Sequence, residues 1–371
     1  MGTTSRAGDR RHAGSAWRRV NGGPYGDRMD MRALAKVARG GNFRARVAAV
    51  RAGQTAVRLA MTAAALQTGV LDALEHPATT TELRRHLGVT DQELLDAFLR
   101  TLAAAGLVRT VGGRHELTRH GQALVADPVV RAVYTAFSDF HTGLYRDLDR
   151  QLDGGPGRDD VVRRAQTIAE LSRFMQPMIE ATLREVVASR RTRSVLDVGC
   201  GSGMLLATML EAAPDANGVG LELDPDAAAL ATENLAARGL DGRARVVVGE
   251  AREQLAGEGP FDVALLANVV YYLPPSERPA LFRLVRDVMT PGGTLLVVTT
   301  AATDDLFSRH FDLLLRAQEG AMKLPDMGVL RTQVQGAGFT TEAPKRIAPG
   351  EPLMALRATA DLSDPEVAGA T

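Results

Sequence analysis

The stretch Val195-Leu196-Asp197-Val198-Gly199-Cys200-Gly201-Ser202-Gly203 sets three alternating glycines behind a carboxylate that ends a short apolar run. An apolar helical pattern begins at Met204. This spacing predicts a strand, a tight turn and a helix start. Glycine lets backbone come close to a ligand, and a helix N-terminus offers unpaired N–H groups to a carboxylate or phosphate. Spacing narrows the ligand. A dinucleotide fingerprint needs G-x-G-x-x-G, but the sixth position is Met204 counted from Gly199 and Leu206 counted from Gly201. A phosphate loop needs Gly-Lys-Ser/Thr, and no lysine lies near. A buried glycine turn with no ligand is the plain alternative.

Further candidates follow the next apolar runs. Glu222, with Leu223 after it, lies about twenty residues past the glycine loop, where an acid meets the ribose hydroxyls of a nucleotide lying across strand ends. Asp224 reads as the N-cap of a helix from Pro225. Val248-Gly249-Glu250-Ala251 places a second acid after a third run, and Phe261 to Asn268 forms a fourth that leads into Val269-Val270-Tyr271-Tyr272-Leu273.

The elements that must position these groups alternate. Strands are expected at Ser194–Val198, Gly218–Glu222, Ala244–Val248, Asp262–Ala267 and Thr294–Thr300, with helices between them, which implies a parallel sheet covered on both faces. Helices at about 304–318 and 328–335 precede two last strands near Phe339–Ile347 and Leu353–Leu356. Upstream, residues 1–28 read as a solvated tail. A helical pattern runs from Val47 to Ala73. Thr79 to Glu82 has the look of a capping box, and Thr90 caps a longer helix through Ala105 with Leu94, Leu95, Phe98, Leu99 and Leu102 on its apolar face. Leu107–Val111, the Gly112-Gly113 turn and His115–Thr118 complete a winged helix-turn-helix. DNA binding is disfavoured, because Asp91, Glu93 and Asp96 on the second helix would repel phosphates; a winged-helix regulator remains the competing class. A helix over 129–152 carries Tyr134, Phe137, Phe140, His141 and Tyr145, either as core or as the roof of a substrate pocket, and another helix spans about 159–189. The expected organisation is a tail (1–28), a winged-helix unit (29–127), linking and lid helices (128–190), an α/β domain (191–360) and a tail (361–371).

Together these segments resemble class I S-adenosylmethionine-dependent methyltransferases. Asp197-x-Gly199-x-Gly201-x-Gly203 is similar to their D-x-G-x-G-x-G loop. Gly249-Glu250 matches a glycine followed by an acid, usually aspartate, beside the adenine amino group. Phe261 to Leu273 and Met289-Thr290-Pro291-Gly292-Gly293-Thr294 are similar to later segments of the same family. The N-terminal unit resembles the winged-helix dimerisation domain of bacterial and plant small-molecule O-methyltransferases. The resemblance implies an α/β fold, with a Rossmann-like seven-stranded sheet containing one antiparallel strand and a mainly helical winged-helix domain. It implies S-adenosylmethionine held by Asp197, Gly199, Gly201, Gly203, Glu222, Leu223, Glu250, Ala251 and Asn268, a homodimer, and methyl transfer to a small-molecule or peptide natural product.

The likeness stops at one place. Such O-methyltransferases usually carry a histidine base followed by Asp-Trp where this chain has Tyr271-Tyr272-Leu273. A phenol of pKa about 10 is a poor base at neutral pH. Three readings stay open. The acceptor is a carboxylate held by Arg, His or Tyr donors, Arg309 among them; or it is an amine, thiol or activated carbon; or His141 or His310 is the base. Tyr271, Tyr272, His141 and His310 are therefore the candidates for orientation or proton handling, and O-methylation is the favoured chemistry.

Bulk composition bounds the rest. The 371 residues are 45% apolar with formal net charge +0, which gives no pull toward nucleic acid or an anionic membrane. No apolar run approaches the roughly twenty residues of a membrane helix. The single cysteine, Cys200, excludes an intrachain disulfide framework and points to a reducing, cytoplasmic setting. No metal site is expected.

Overall fold

The computed structural model describes residues 42–361 together with Lys36. The expected tail over 1–28 lies outside these residues, as does the tail expected over 361–371 beyond Asp361. The chain divides into compact units at Arg58/Leu59. In the first, the described part is helical from Phe43, where the helix Phe43–Gln67 begins. The rest of the fold and the site described below belong to the second, Leu59–Thr371.

Its N-terminal part is a helix–helix–hairpin unit. Thr79 caps the helix Thr80–Leu87 through a reciprocal capping box with Glu82, as the sequence predicts. The helix Gln92–Ala104 is capped by Asp91, and β1 (Val108–Val111) pairs antiparallel with β2 (Arg114–Leu117). Leu83, Leu95, Leu99, Leu102, Leu107 and Leu117 close one core between them.

The C-terminal part is an eight-stranded sheet. Five strands are parallel: β3 (Ser194–Val198), β4 (Asn217–Glu222), β5 (Ala244–Val248), β6 (Phe261–Ala267) and β7 (Met289–Thr300), in the order β5-β4-β3-β6-β7. β10 (Leu353–Ala360) then runs antiparallel to β7, and it pairs antiparallel with both β8 (Phe339–Thr341) and β9 (Lys345–Arg346). The expected seven strands with one antiparallel thus lie along the main path. The single strand expected over Phe339–Ile347 is two short ones, because Pro344 between them has no N–H for the ladder. Alternate strand residues feed two cores. Leu196, Ala264, Leu266, Leu295 and Val297 pack on Phe282, Val285, Leu330 and Val334, while Val195, Val263, Leu265, Leu296 and Val298 pack on Leu183, Leu206, Leu210 and Leu235. That period-two division explains why these strands read as continuous apolar runs.

Two long helices expected from the sequence are broken. Residues 128–152 form Pro128–Ala136, a widened π turn Phe137–His141, and the short helices Thr142–Arg146 and Leu148–Leu152. Residues 160–188 form Asp160–Arg163, Ala165–Ser172 and Gln176–Ala188. The last of these starts afresh because Pro177 sits in its first turn and disfavours helix at the residue before it.

Candidate active site

The strand order reverses at β3, with β4 on one side and β6 on the other. Loops leaving the carboxyl ends of β3 and β6 therefore diverge and leave a crevice, the ligand site of open α/β sheets. The glycine loop and Asn268 occupy those two ends. Gly199 is required by contact: a Cβ there would lie 2.6 Å from Val269 Cγ2, in the loop that follows β6. Gly201, at φ +52, has nothing within 4 Å of its would-be Cβ, so its backbone faces open space. Gly203 starts the helix Met204–Ala212 from a left-handed conformation.

Acids line this crevice. Glu222 ends β4 and turns back on the loop. Its Oε2 accepts the Gly201 N–H at 2.8 Å, and its Oε1 accepts those of Leu223 at 2.8 Å and Asp224 at 3.1 Å. Asp197 is buried, with Oδ2 unpartnered; burial, then the nearby Glu222, pushes its carboxyl up to about 7. Glu250 is exposed beyond β5 and Ala251 begins the next short helix. Leu223 is exposed. Asp224 caps the helix Pro225–Ala237, as the sequence predicts. Asn268 takes φ +57 and donates its N–H to Val298 O at 2.8 Å, a conformation that asparagine tolerates better than most residues.

Beyond Asn268 lies a cavity of about 540 Å³. Its floor is Tyr271 and Tyr272 after β6 with Thr300 at the end of β7. Phe307, Phe311 and Leu314 of the helix Leu306–Arg316 form one wall, and the π turn and the helix Ala165–Ser172 roof it. Phe140 and His141 of the widened turn are both buried, and such π turns are rare and are often found at functional sites. Tyr271 and Tyr272 meet edge to face at 4.6 Å between centroids. Burial, followed by the other phenol, raises Tyr271, and burial raises Tyr272, so neither is suited to take a proton. Arg278, buried beneath this turn, donates to Leu273 O at 3.3 Å and to Lys323 O at 2.7 Å.

The two candidate histidines, far apart in sequence, meet. His141 Nδ1 lies 2.8 Å from His310 Nε2, and His310 Nδ1 lies 2.8 Å from Tyr145 Oη. His141 stacks on Phe137 at 4.4 Å, and its Nε2 has no partner. Burial, then His310, holds its imidazole down to about 3 against the opposing pull of Asp160. Asp160 also lines the cavity, held by Arg158 at 2.6 Å and Gln318 at 3.2 Å. No sequence signal marks Asp160, Arg158 or Gln318. Arg309 pairs with Asp304 on the surface and does not reach the cavity. Among the described residues there is no cluster able to hold a metal ion, and no helix is long and apolar enough to cross a membrane.

The donor set suits a cationic nucleoside. Carboxylates at Asp197, Glu222 and Glu250 complement hydroxyl, amino and sulfonium groups and disfavour a phosphate, and Gly201 leaves room for close backbone contact. Known proteins agree. Residues 195–293 match the family described as methyltransferase domain. The chain is 34% identical over 152 residues to the 2,7-dihydroxy-5-methyl-1-naphthoate 7-O-methyltransferase of Streptomyces carzinostaticus, covering 40% of this chain and 44% of that enzyme. It is 28% identical over 278 residues to the O-demethylpuromycin-O-methyltransferase of Streptomyces alboniger, covering 68% and 72%. The match thus spans less than half the length of the first relative and more than two thirds of the second. The structure of the mitomycin 7-O-methyltransferase MmcR superposes with TM-score 0.70 at 21% identity, covering 88% of this chain and 99% of its own, a likeness of fold. The structure of PigF with SAH has the same fold, with TM-score 0.67 at 21% identity, covering 84% of this chain and 98% of its own. Residues 195–293 thus carry a methyltransferase domain.

Proposed function

We propose that the protein methylates a hydroxyl oxygen on a neutral, largely aromatic small molecule. The carrying observation is the cavity: about 540 Å³, walled by aromatic and aliphatic side chains, reaching Asn268 at the strand ends and lined by no lysine or arginine. Its size falls within the range of small-molecule sites. A carboxylate acceptor would lose its hydration there without gaining a cation and would face Asp160 and Glu351; among the remaining readings the O-methyltransferases among the relatives favour a phenol or alcohol over an amine, thiol or carbon.

In this reading Asp197, Gly199, Gly201, Gly203, Glu222, Leu223, Glu250, Ala251 and Asn268 hold the cofactor, which supplies an electrophilic methyl on its sulfonium. Tyr271 and Tyr272 orient the acceptor. His141, whose unpartnered Nε2 belongs to a cavity-lining ring, receives the hydroxyl proton. Proximity and alignment carry most of the remaining rate. The N-terminal region over residues 29–127, the helix Phe43–Gln67 included, serves a cytoplasmic homodimer. Phe43, Val50 and Val57 support this, recurring every seventh residue as an exposed apolar stripe on one helix.

Methyl-labelled cofactor offered with matched naphthols, naphthoic acids and naphthylamines tests the acceptor class. Label should appear as aryl ether; label confined to esters or methylamines would overturn the reading. Sedimentation of the full chain, with Val50→Glu as control, tests the dimer.

A further inference from the structure

Three side chains form a continuous path out of the cavity. At the inner end His141 is 2% exposed and lines the cavity, with Nε2 unpartnered. In the middle, His310 contacts His141 through Nε2 and Tyr145 through Nδ1, each at 2.8 Å. At the outer end Tyr145 is 50% exposed. The rings also lie close, His141–His310 at 5.0 Å and His310–Tyr145 at 5.5 Å between centroids.

His141 by itself is a poor place to leave a proton. An imidazolium at that depth is costly. The facing charge that would stabilise it, Asp160, is already engaged by Arg158 and Gln318. Asp139 on the same turn is paired with Arg164. A base that cannot store charge must pass it on.

We propose that the acceptor's proton leaves the buried pocket along a hydrogen-bonded relay from His141 to His310 to Tyr145 and into water. The inference rests on the hydroxyl-methylation reading given above. The relay requires one of the two tautomer sets that these distances allow: His141 carries its proton on Nδ1 and donates to His310 Nε2, and His310 carries its proton on Nδ1 and donates to Tyr145 Oη. This leaves His141 Nε2 as an acceptor. On transfer the acceptor's O–H bond breaks as its oxygen gains the methyl, and the S–CH₃ bonding pair stays on sulfur as a neutral thioether. The O–H proton goes to His141 Nε2, the Nδ1 proton of His141 to His310 Nε2, the Nδ1 proton of His310 to Tyr145, and the phenol proton to water. The positive charge of the sulfonium thus appears in solvent as one proton. Both rings end in the opposite tautomer; on return Tyr145 takes a proton from water and passes its own to His310 Nδ1, the His310 Nε2 proton moves to His141 Nδ1, and the His141 Nε2 proton leaves to water entering the emptied cavity. His310 and Tyr145 are relay residues, acting through His141.

Two measurements on the full chain test this. Long-range ¹⁵N spectra of its histidines, assigned with His141→Gln and His310→Gln, should show both rings neutral at pH 7 with bare Nε2 and protonated Nδ1. An Nε2–H tautomer or an imidazolium at His141 would overturn the relay, and this needs no acceptor. With 2,7-dihydroxynaphthalene as acceptor, His310→Gln keeps a carbonyl for His141 and an amide for Tyr145 but cannot hand on a proton. It should lower kcat at least tenfold with KM within twofold, as should Tyr145→Phe, and the wild-type solvent deuterium effect should require more than one proton in flight. If His310→Gln turns over like wild type while His141→Gln does not, the relay is wrong and the base assignment stands. If His141→Gln is also unimpaired, both fall. If the wild type makes no aryl ether, the hydroxyl reading fails, and the tautomers still decide the wire.

Discussion

Glu222 Oε2 accepts the Gly201 N–H at 2.8 Å, so the acid at the end of β4 holds the middle of the glycine loop as well as facing the crevice. Its other oxygen takes two more backbone N–H groups. Charge-assisted bonds of this kind are worth about 1.5–3 kcal/mol each where buried and less where exposed. Glu222→Ala should therefore weaken S-adenosylmethionine binding by about 1–3 kcal/mol and lower the melting temperature of the cofactor-free protein. Calorimetry and thermal melts check the two effects separately. Unchanged affinity would remove Glu222 from the cofactor site whatever happens to stability.

Gly199 faces two penalties that can be told apart. Its φ of +73 costs an alanine about 1 kcal/mol, and the added Cβ would sit 2.6 Å from Val269 Cγ2. Gly199→Ala should lose more stability than the backbone penalty alone. Val269→Ala in the same chain should recover the steric part and leave about 1 kcal/mol. Additive losses, measured by denaturant unfolding of both single variants and the double, would show that the loop relieves the contact by moving.

Val133 lines the roof of the cavity on the helix Pro128–Ala136. Val133→Phe should fill acceptor space and raise KM for an aromatic acceptor by about tenfold, near 1.4 kcal/mol, with cofactor affinity unchanged. Equal losses for both ligands would mean that the helix is displaced rather than the cavity filled.

The placement of the strand-end residues was legible in the sequence because it is local. Asp197 lies in β3 and Glu222 ends β4, the glycines, Glu250 and Asn268 follow strands, and a parallel sheet brings those strand ends to one edge. The acceptor half was not. His141 and His310 lie on separate helical segments, and their meeting depends on a π turn that the 3.6-residue pattern of 129–152 does not announce. Asp160 sits at the start of a four-residue helix inside what reads as one long helix. Asp160 is held by tertiary bonds such as that from Gln318, which leave no periodic trace.

His141 also marks the pH dependence of stability. Its imidazole ionises near 6.5 when unfolded and at about 3 in the folded protein. Below pH 6.5 the unfolded chain therefore binds a proton that the native state refuses, and stability falls as pH drops from about 6.5 toward 3, by up to about 1.4 kcal/mol per unit. Asp197 works in the opposite sense. With its folded pKa raised from 3.8 to about 7, its contribution is fully present below 3.8 and is lost as pH rises toward 7. The two partly cancel in the wild type, so the informative quantity is the stability difference from His141→Gln, which keeps Asp197 and removes the imidazole. That difference should shift steadily in favour of the variant as pH is lowered from 6.5 to 4.5 and stay flat between 7.5 and 8.5. Urea unfolding across this range measures it, and a difference independent of pH would mean that His141 is not held neutral in the fold.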